Sequence, residues 1–148
     1  MGHDGFALEN RSGYATADLR RFFARGFAAY AFPERAVRAY TIAVMTAPQR
    51  SRGCAEVGGR RMAIAIASPT HFSLRRFARL FEHEAAHLAG MDHEDMPYRL
   101  LMSLGPVPEW ATGTRLRYLG RAPDQVVRLG GGAADGAAFR DWRRERSR

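Results

Sequence analysis

The stretch LRRFARLFEHEAAHLAG, residues 74–90, constrains this chain more than any other. At about 100° per residue, Leu74, Phe77, Phe81 and Leu88 fall in one narrow stripe, so the spacing predicts a helix from 74 to about 89 with one buried face. Ser73 stands where a side chain can cap the first turn. Gly90 stands where left-handed backbone can end the last one. His83 and His87 leave a common face one turn apart, beside the apolar stripe rather than within it, so they point to a neighbouring groove. Glu84 lies between the two sets.

The segments before this helix read as a small sheet. MAIAIAS (62–68) alternates strictly, with Met62, Ile64 and Ile66 on one face and Ala63, Ala65 and Ala67 on the other, the period of a strand. The alanine face would let a helix approach closely. AVRAYTIAVMTAP (36–48) is rich in β-branched and aromatic residues and predicts a strand closed by Pro48. Shorter strands are expected at GFALEN (5–10) and CAEV (54–57). Thr16 reads as the cap of a first helix in which Leu19, Phe22, Phe23, Phe27 and Tyr30 recur at helical spacing. Its arginine-rich face would suit a membrane surface, but the apolar face reads as core. Residues 91–110, with three prolines, are expected to form an ordered loop. TRLRYLGRAPDQVVRL (114–129) suggests two short strands, and the remainder a flexible Gly/Ala/Arg-rich end with a frayed helix. The expected class is therefore α+β. One domain is expected at 5–110, followed by a basic extension at 111–148.

A chain of 148 residues, 46% hydrophobic, can bury a core without disulfides, and the single cysteine, Cys54, cannot form one within the chain. That suits a reducing compartment. No basic start with an apolar run opens the sequence, and no stretch has the length of a membrane span, so a cytoplasmic protein is expected. The net charge is +8 and lysine is absent. Residues 111–148 hold nine arginines against four acids, so +5 of the charge sits there. Such a tail suits contact with nucleic acid or another polyanion, or simply keeps the chain soluble.

The chemistry concentrates at residues 83–93. Two histidines at i and i+4 on a helix can share one metal ion, and imidazole nitrogen suits zinc. A catalytic zinc keeps three protein ligands, so a third must come from beyond the helix. After the turn at Gly90, His93 can return to the ion. Glu84, next to the first ligand, can take a proton from a metal-bound water and pass it to a leaving amine. Five fixed positions would match by chance in a chain of this length on the order of once in 20,000.

His83-Glu84-x-x-His87-x-x-Gly90-x-x-His93 resembles the metzincin zinc-peptidase signature. The resemblance implies a zincin-like fold. A small twisted mixed sheet would pack on an N-terminal helix and on the active-site helix. It also implies one catalytic Zn2+ held by His83, His87 and His93, with Glu84 as general base and a peptide or protein substrate. Metzincins carry a Met-turn whose methionine lies beneath the metal. Met102 in LLMSL is the candidate, and the run GMDHEDMPYRLLMSL is similar to the matching stretch of matrix metalloproteinases. By the same analogy Cys54, Ala55, Glu56 and Val57 would be an edge strand pairing with substrate, and SLGPVPEW (103–110) a pocket wall. Glu94 after the third histidine resembles astacins, but Leu104 replaces the astacin tyrosine, so no subfamily is assigned. HEAAHLAG is also similar to the helix of peptide deformylases, where a cysteine such as Cys54 would be the third ligand. A reading from another class is a nucleic-acid-associated protein, either a SprT-like protease acting near DNA or a non-catalytic zinc protein.

Overall fold

A computed structural model describes residues 2–47, 51–56 and 58–120. Four strands, β1 (Ala7–Asn10), β2 (Thr41–Ala47), β3 (Arg52–Glu56) and β4 (Arg61–Ala67), make one sheet in the order β1-β2-β4-β3. β1, β2 and β4 are parallel, and β3 runs antiparallel to β4 at the edge. Among the described residues four α-helices accompany the sheet: α1 (Thr16–Ala29), α2 (Glu34–Arg38), α3 (Leu74–Leu88) and the single turn α4 (Tyr98–Leu101). The class is α+β, and none of these helices is long and apolar enough to cross a membrane.

The two strongest periodicities became the two strongest elements. β4 spans Arg61–Ala67, and its Met62, Ile64 and Ile66 are fully buried in one core with Phe22, Phe23 and Phe27 of α1 and Phe77 and Phe81 of α3. Each such side chain contributes roughly 1.5–3 kcal/mol through burial. The aromatic rings interlock, with Phe23–Phe81 centroids 5.3 Å apart and Phe22–Phe77 4.9 Å apart. The Ser73 hydroxyl accepts the Arg76 amide and caps α3 as the sequence suggests.

The helices did not choose the alanine face. Both cover the larger Met/Ile face, where more apolar surface leaves water. Ala63 and Ala65 instead belong to a second buried cluster with Ala43, Met45 and Ala47, against which Cys54 packs. Close approach is provided by two glycines. At Gly26 of α1, an added Cβ would lie 2.4 Å from the Phe81 ring and 3.1 Å from Trp110. A Gly26→Val chain is therefore expected to lose about 1–3 kcal/mol through overpacking. Urea unfolding checks this, and an unchanged midpoint would mean that α1 and α3 separate without cost.

Three expectations change. Residues 36–40 do not open the strand expected at 36–48: α2 takes Glu34–Arg38 with Pro33 at its N-cap, Val37 points into the core, and β2 begins at Thr41. Thr16 is the first helical residue, and Ala15 takes the cap position without a side-chain bond. The loop at 91–110 contains α4 and a 3-10 turn at Glu109–Ala111.

The boundary expected at 110–111 falls inside packed structure. Ala111 is fully buried, and Tyr118 forms a bridge with Tyr14. The buried carboxylate of Asp18 accepts the Arg117 amide and Nε, both at 2.9 Å. Those bonds hold its pKa below the usual carboxylate range, against the opposing effect of burial. Val57, most of the basic tail and the expected strand and frayed helix beyond 120 lie outside the described residues.

Candidate metal centre

His83, His87 and His93 each offer one ring nitrogen, and these three atoms lie within 4.8 Å of one another. The sequence brings them together in two steps. The helix places His83 and His87 on one face, with ring centroids 4.9 Å apart. A Schellman turn then reverses the chain: Gly90 takes φ +100°, its amide donates to the His87 carbonyl at 2.9 Å, and the Met91 amide donates to Ala86 at 3.0 Å. The next residues brace themselves, since Asp92 Oδ1 accepts the amides of Glu94 and Asp95 at 2.9 and 3.1 Å. His93 sits within that turn.

Two backbone carbonyls orient the rings. His87 Nδ1 lies 2.9 Å from the Met91 oxygen, and His83 Nδ1 lies 3.1 Å from the Leu100 oxygen. A carbonyl can only accept, so each Nδ1 carries the hydrogen and each Nε2 keeps its lone pair. This is the tautomer and the outer support that metal-ligating histidines use. Burial, the largest influence, lowers the His83 pKa, and so favours the neutral, ligating form.

The His87 and His93 Nε2 atoms are 3.2 Å apart. Two lone pairs at that distance repel unless a proton or a cation lies between them. Ligands at about 2.0–2.1 Å from one tetrahedral zinc lie roughly 3.3 Å from each other. The set of three imidazoles could therefore hold a metal ion.

Comparison with protein-family models, with curated proteins and with solved structures finds no match. The reading of the centre rests on its own geometry.

Glu84 is buried, although it stands beside the half-buried His83 and His87 and the exposed His93. It lies against β3: a Cβ added at Gly53 would meet Glu84 Cγ at 3.0 Å and Oε2 at 3.2 Å. Gly53 thus lets the helix approach the edge strand, a role not assigned from sequence. Cys54 faces the other way. It pairs with Ala63 and packs on the alanine face, so it cannot replace His93 as the deformylase likeness would need. Ala55 turns back to the helix side, opposite Met62, and Glu56 pairs with Arg61 by backbone register and by a 3.1 Å ion pair.

Met102 occupies the C-cap of α4, in a second Schellman turn in which Ser103 takes φ +54° and the Leu104 amide donates to Arg99 at 2.9 Å. The tight turn is present, but the Met102 side chain is 52% exposed rather than sealed beneath the histidines. It lines an open pocket of about 280 Å³ with Arg76, Leu80, His83, Glu84, Leu101 and Ser103. Met96 is the buried methionine of this region, at 6% exposure.

Sequence reasoning missed the support behind the pocket wall. Glu82, on the helix side facing away from the histidines, is buried. Its carboxylate accepts Arg79 at 2.7 Å, Trp110 Nε1 at 3.0 Å and the Tyr30 hydroxyl. Burial first, and then that bond to Glu82, push the Tyr30 pKa up to about 12. Arg79 also donates to the Pro106 carbonyl at 3.0 Å. One carboxylate thus ties α1, α3 and the 106–110 segment together. Its sequence signal was the i, i+3 pair Arg79–Glu82, which alone reads as a surface ion pair.

Proposed function

We propose that the protein is a zinc-dependent metallopeptidase of metzincin type. One observation supports this reading: three imidazoles, each offering one ring nitrogen within 4.8 Å of the others, stand next to a buried glutamate, beside an edge strand. The arrangement of α3 under a sheet with an antiparallel edge strand suits a zincin-like fold. His83, His87 and His93 would hold the ion. Zinc bound there would lower the pKa of a coordinated water towards neutrality and polarise the carbonyl under attack.

The chain's own residues do the rest. Glu84 takes the proton from the attacking water at its carboxylate and delivers it to the leaving amine nitrogen. The backbone of β3 can pair with an extended peptide, bringing its carbonyl to the histidine cluster. The Met91 and Leu100 carbonyls keep the rings from turning away as the peptide binds.

Purified protein is expected to carry one zinc per chain by metal analysis. His93→Ala should drop this well below one, because two imidazoles on one helix face do not enclose the ion. Free zinc at a hundredfold excess over Kd should stabilise the native chain by about 2.7 kcal/mol, measured as a thermal shift that chelator reverses. The deciding assay is cleavage of an unstructured polypeptide. Zinc-loaded protein that cuts no faster than chelated protein would sink the peptidase reading.

The +5 charge of residues 111–148 favours a second reading, in which the zinc site belongs to a protein that acts on or near nucleic acid. Binding to DNA that weakens steeply with salt and vanishes when residues 121–148 are removed would support it. No retention on DNA at low salt would remove it.

A further inference from the structure

We infer that Arg76 makes the pocket beside the histidines a carboxylate-binding subsite, so that the favoured substrates carry an acidic group next to the cleaved bond. The inference rests on the peptidase reading for the word substrate, but its physical basis is separate. Three arginines on the first half of α3 face the 103–106 segment or the pocket, and two are satisfied there. Arg75 donates to the Ser103 and Gly105 carbonyls at 3.4 and 3.3 Å. Arg79 donates to Pro106 and pairs with Glu82.

Arg76 differs. Its Nε is buried and has no hydrogen-bond partner, and no carboxylate among the described residues forms an ion pair with it. A guanidinium donor buried without an acceptor is costly, and native structures rarely keep one without a use. Arg76 as a whole is only partly buried and lines the same 280 Å³ pocket as His83 and Glu84, so an acceptor that meets its guanidinium from the pocket lies next to them. A planar fork of donors matches a carboxylate in two-point geometry. The apolar part of the lining, Leu80, Leu101 and Met102, would hold the methylene stem of such a group. A positive charge here also offsets the repulsion that an incoming acid would meet from Glu84.

Two sources offer this chemistry: an acidic side chain within a peptide, and the free carboxylate of a chain end. The test uses small probes on the full chain. N-acetylglutamate amide stands for the side chain, N-acetylalanine for the chain end, and N-acetylglutamine amide is the neutral control. Affinity is read by titration calorimetry on wild type and on Arg76→Gln, and in wild type the site is located from the Arg76 Nε–H resonance by NMR, assigned with that variant. At least one acid should shift this resonance and bind roughly ten- to a hundredfold more tightly to wild type than to Arg76→Gln, the loss typical of a charge-assisted bond. The acid that binds better identifies the source. Equal binding of the neutral control, or an unchanged affinity in Arg76→Gln, overturns the proposal. A cleavage profile of a mixed peptide library separates the two readings. Cleavage without enrichment of acidic groups at the cut leaves the peptidase standing and removes the subsite. Acid binding at Arg76 with no cleavage at all leaves the subsite and removes the peptidase.

Discussion

Glu84→Gln is expected to lower peptide hydrolysis by roughly 10²–10⁴-fold while zinc content stays at one per chain. The amide keeps the size of the side chain and its place against Gly53, where an added Cβ would press on Glu84 Cγ at 3.0 Å and on the Ala63 carbonyl at 3.3 Å. It loses only the ability to accept a proton near neutral pH. The three histidines are untouched, and the Nδ1 bonds of His87 to Met91 and of His83 to Leu100 do not involve Glu84. Metal analysis, circular dichroism and turnover on one preparation separate the effects. A variant with turnover within threefold of wild type would remove Glu84 from the chemistry, and one that lost zinc would make it part of the metal's support.

The largest effect on stability is expected at Arg79. Arg79→Met leaves the Glu82 carboxylate buried with only the neutral donors Tyr30 and Trp110, where the pair now has side chains 7% and 1% exposed. Breaking a buried pair from one side costs about 3–5 kcal/mol, because an uncompensated charge stays in a poorly solvating interior. Replacing both, as Arg79→Met with Glu82→Leu, should recover much of that loss. The single change also frees Pro106 from its bond to Arg79 Nε, so the wall behind the pocket loosens and activity should fall even where the chain is folded. Urea unfolding of the two variants checks the order. A single variant within about 1 kcal/mol of wild type would show that water reaches Glu82 and that the network is a surface feature.

The site was legible to the extent that it is written in local spacing. His83 and His87 share a face because of the helical period, and Gly90 sits where the reversal needs left-handed backbone. Both follow from residues within one short run. The same holds for β4, whose alternation marks it without reference to anything else. The strand expected from residue 36 starts only at Thr41, because the five residues of α2 are too few for either period to declare itself and packing of Val37 chose between them. The alanine face misled for a related reason. Smallness permits a close helix, but the face that buries more apolar surface wins it.

Other features had no local signal. The acceptors that fix the imidazole tautomers are backbone carbonyls, which every residue has, and only the path of the chain brings Leu100 under His83. Gly53 stands just before the strand expected at 54–57, and its closeness to Glu84 arises only when α3 lies against β3. Arg76 stands in a run rich in arginine, and nothing in the sequence distinguishes it from Arg75 and Arg79. Their acceptors come from a segment some thirty residues away, and Arg76 is the one left facing the pocket. The sequence by itself determined a helix carrying two imidazoles, a turn returning a third, and a carboxylate beside them, because periodicity and glycine backbone act over a few residues. Tertiary structure alone decided which way the rings face, what buries Glu84, and which arginine is left for a ligand, because each depends on contacts between segments that meet only when the core closes.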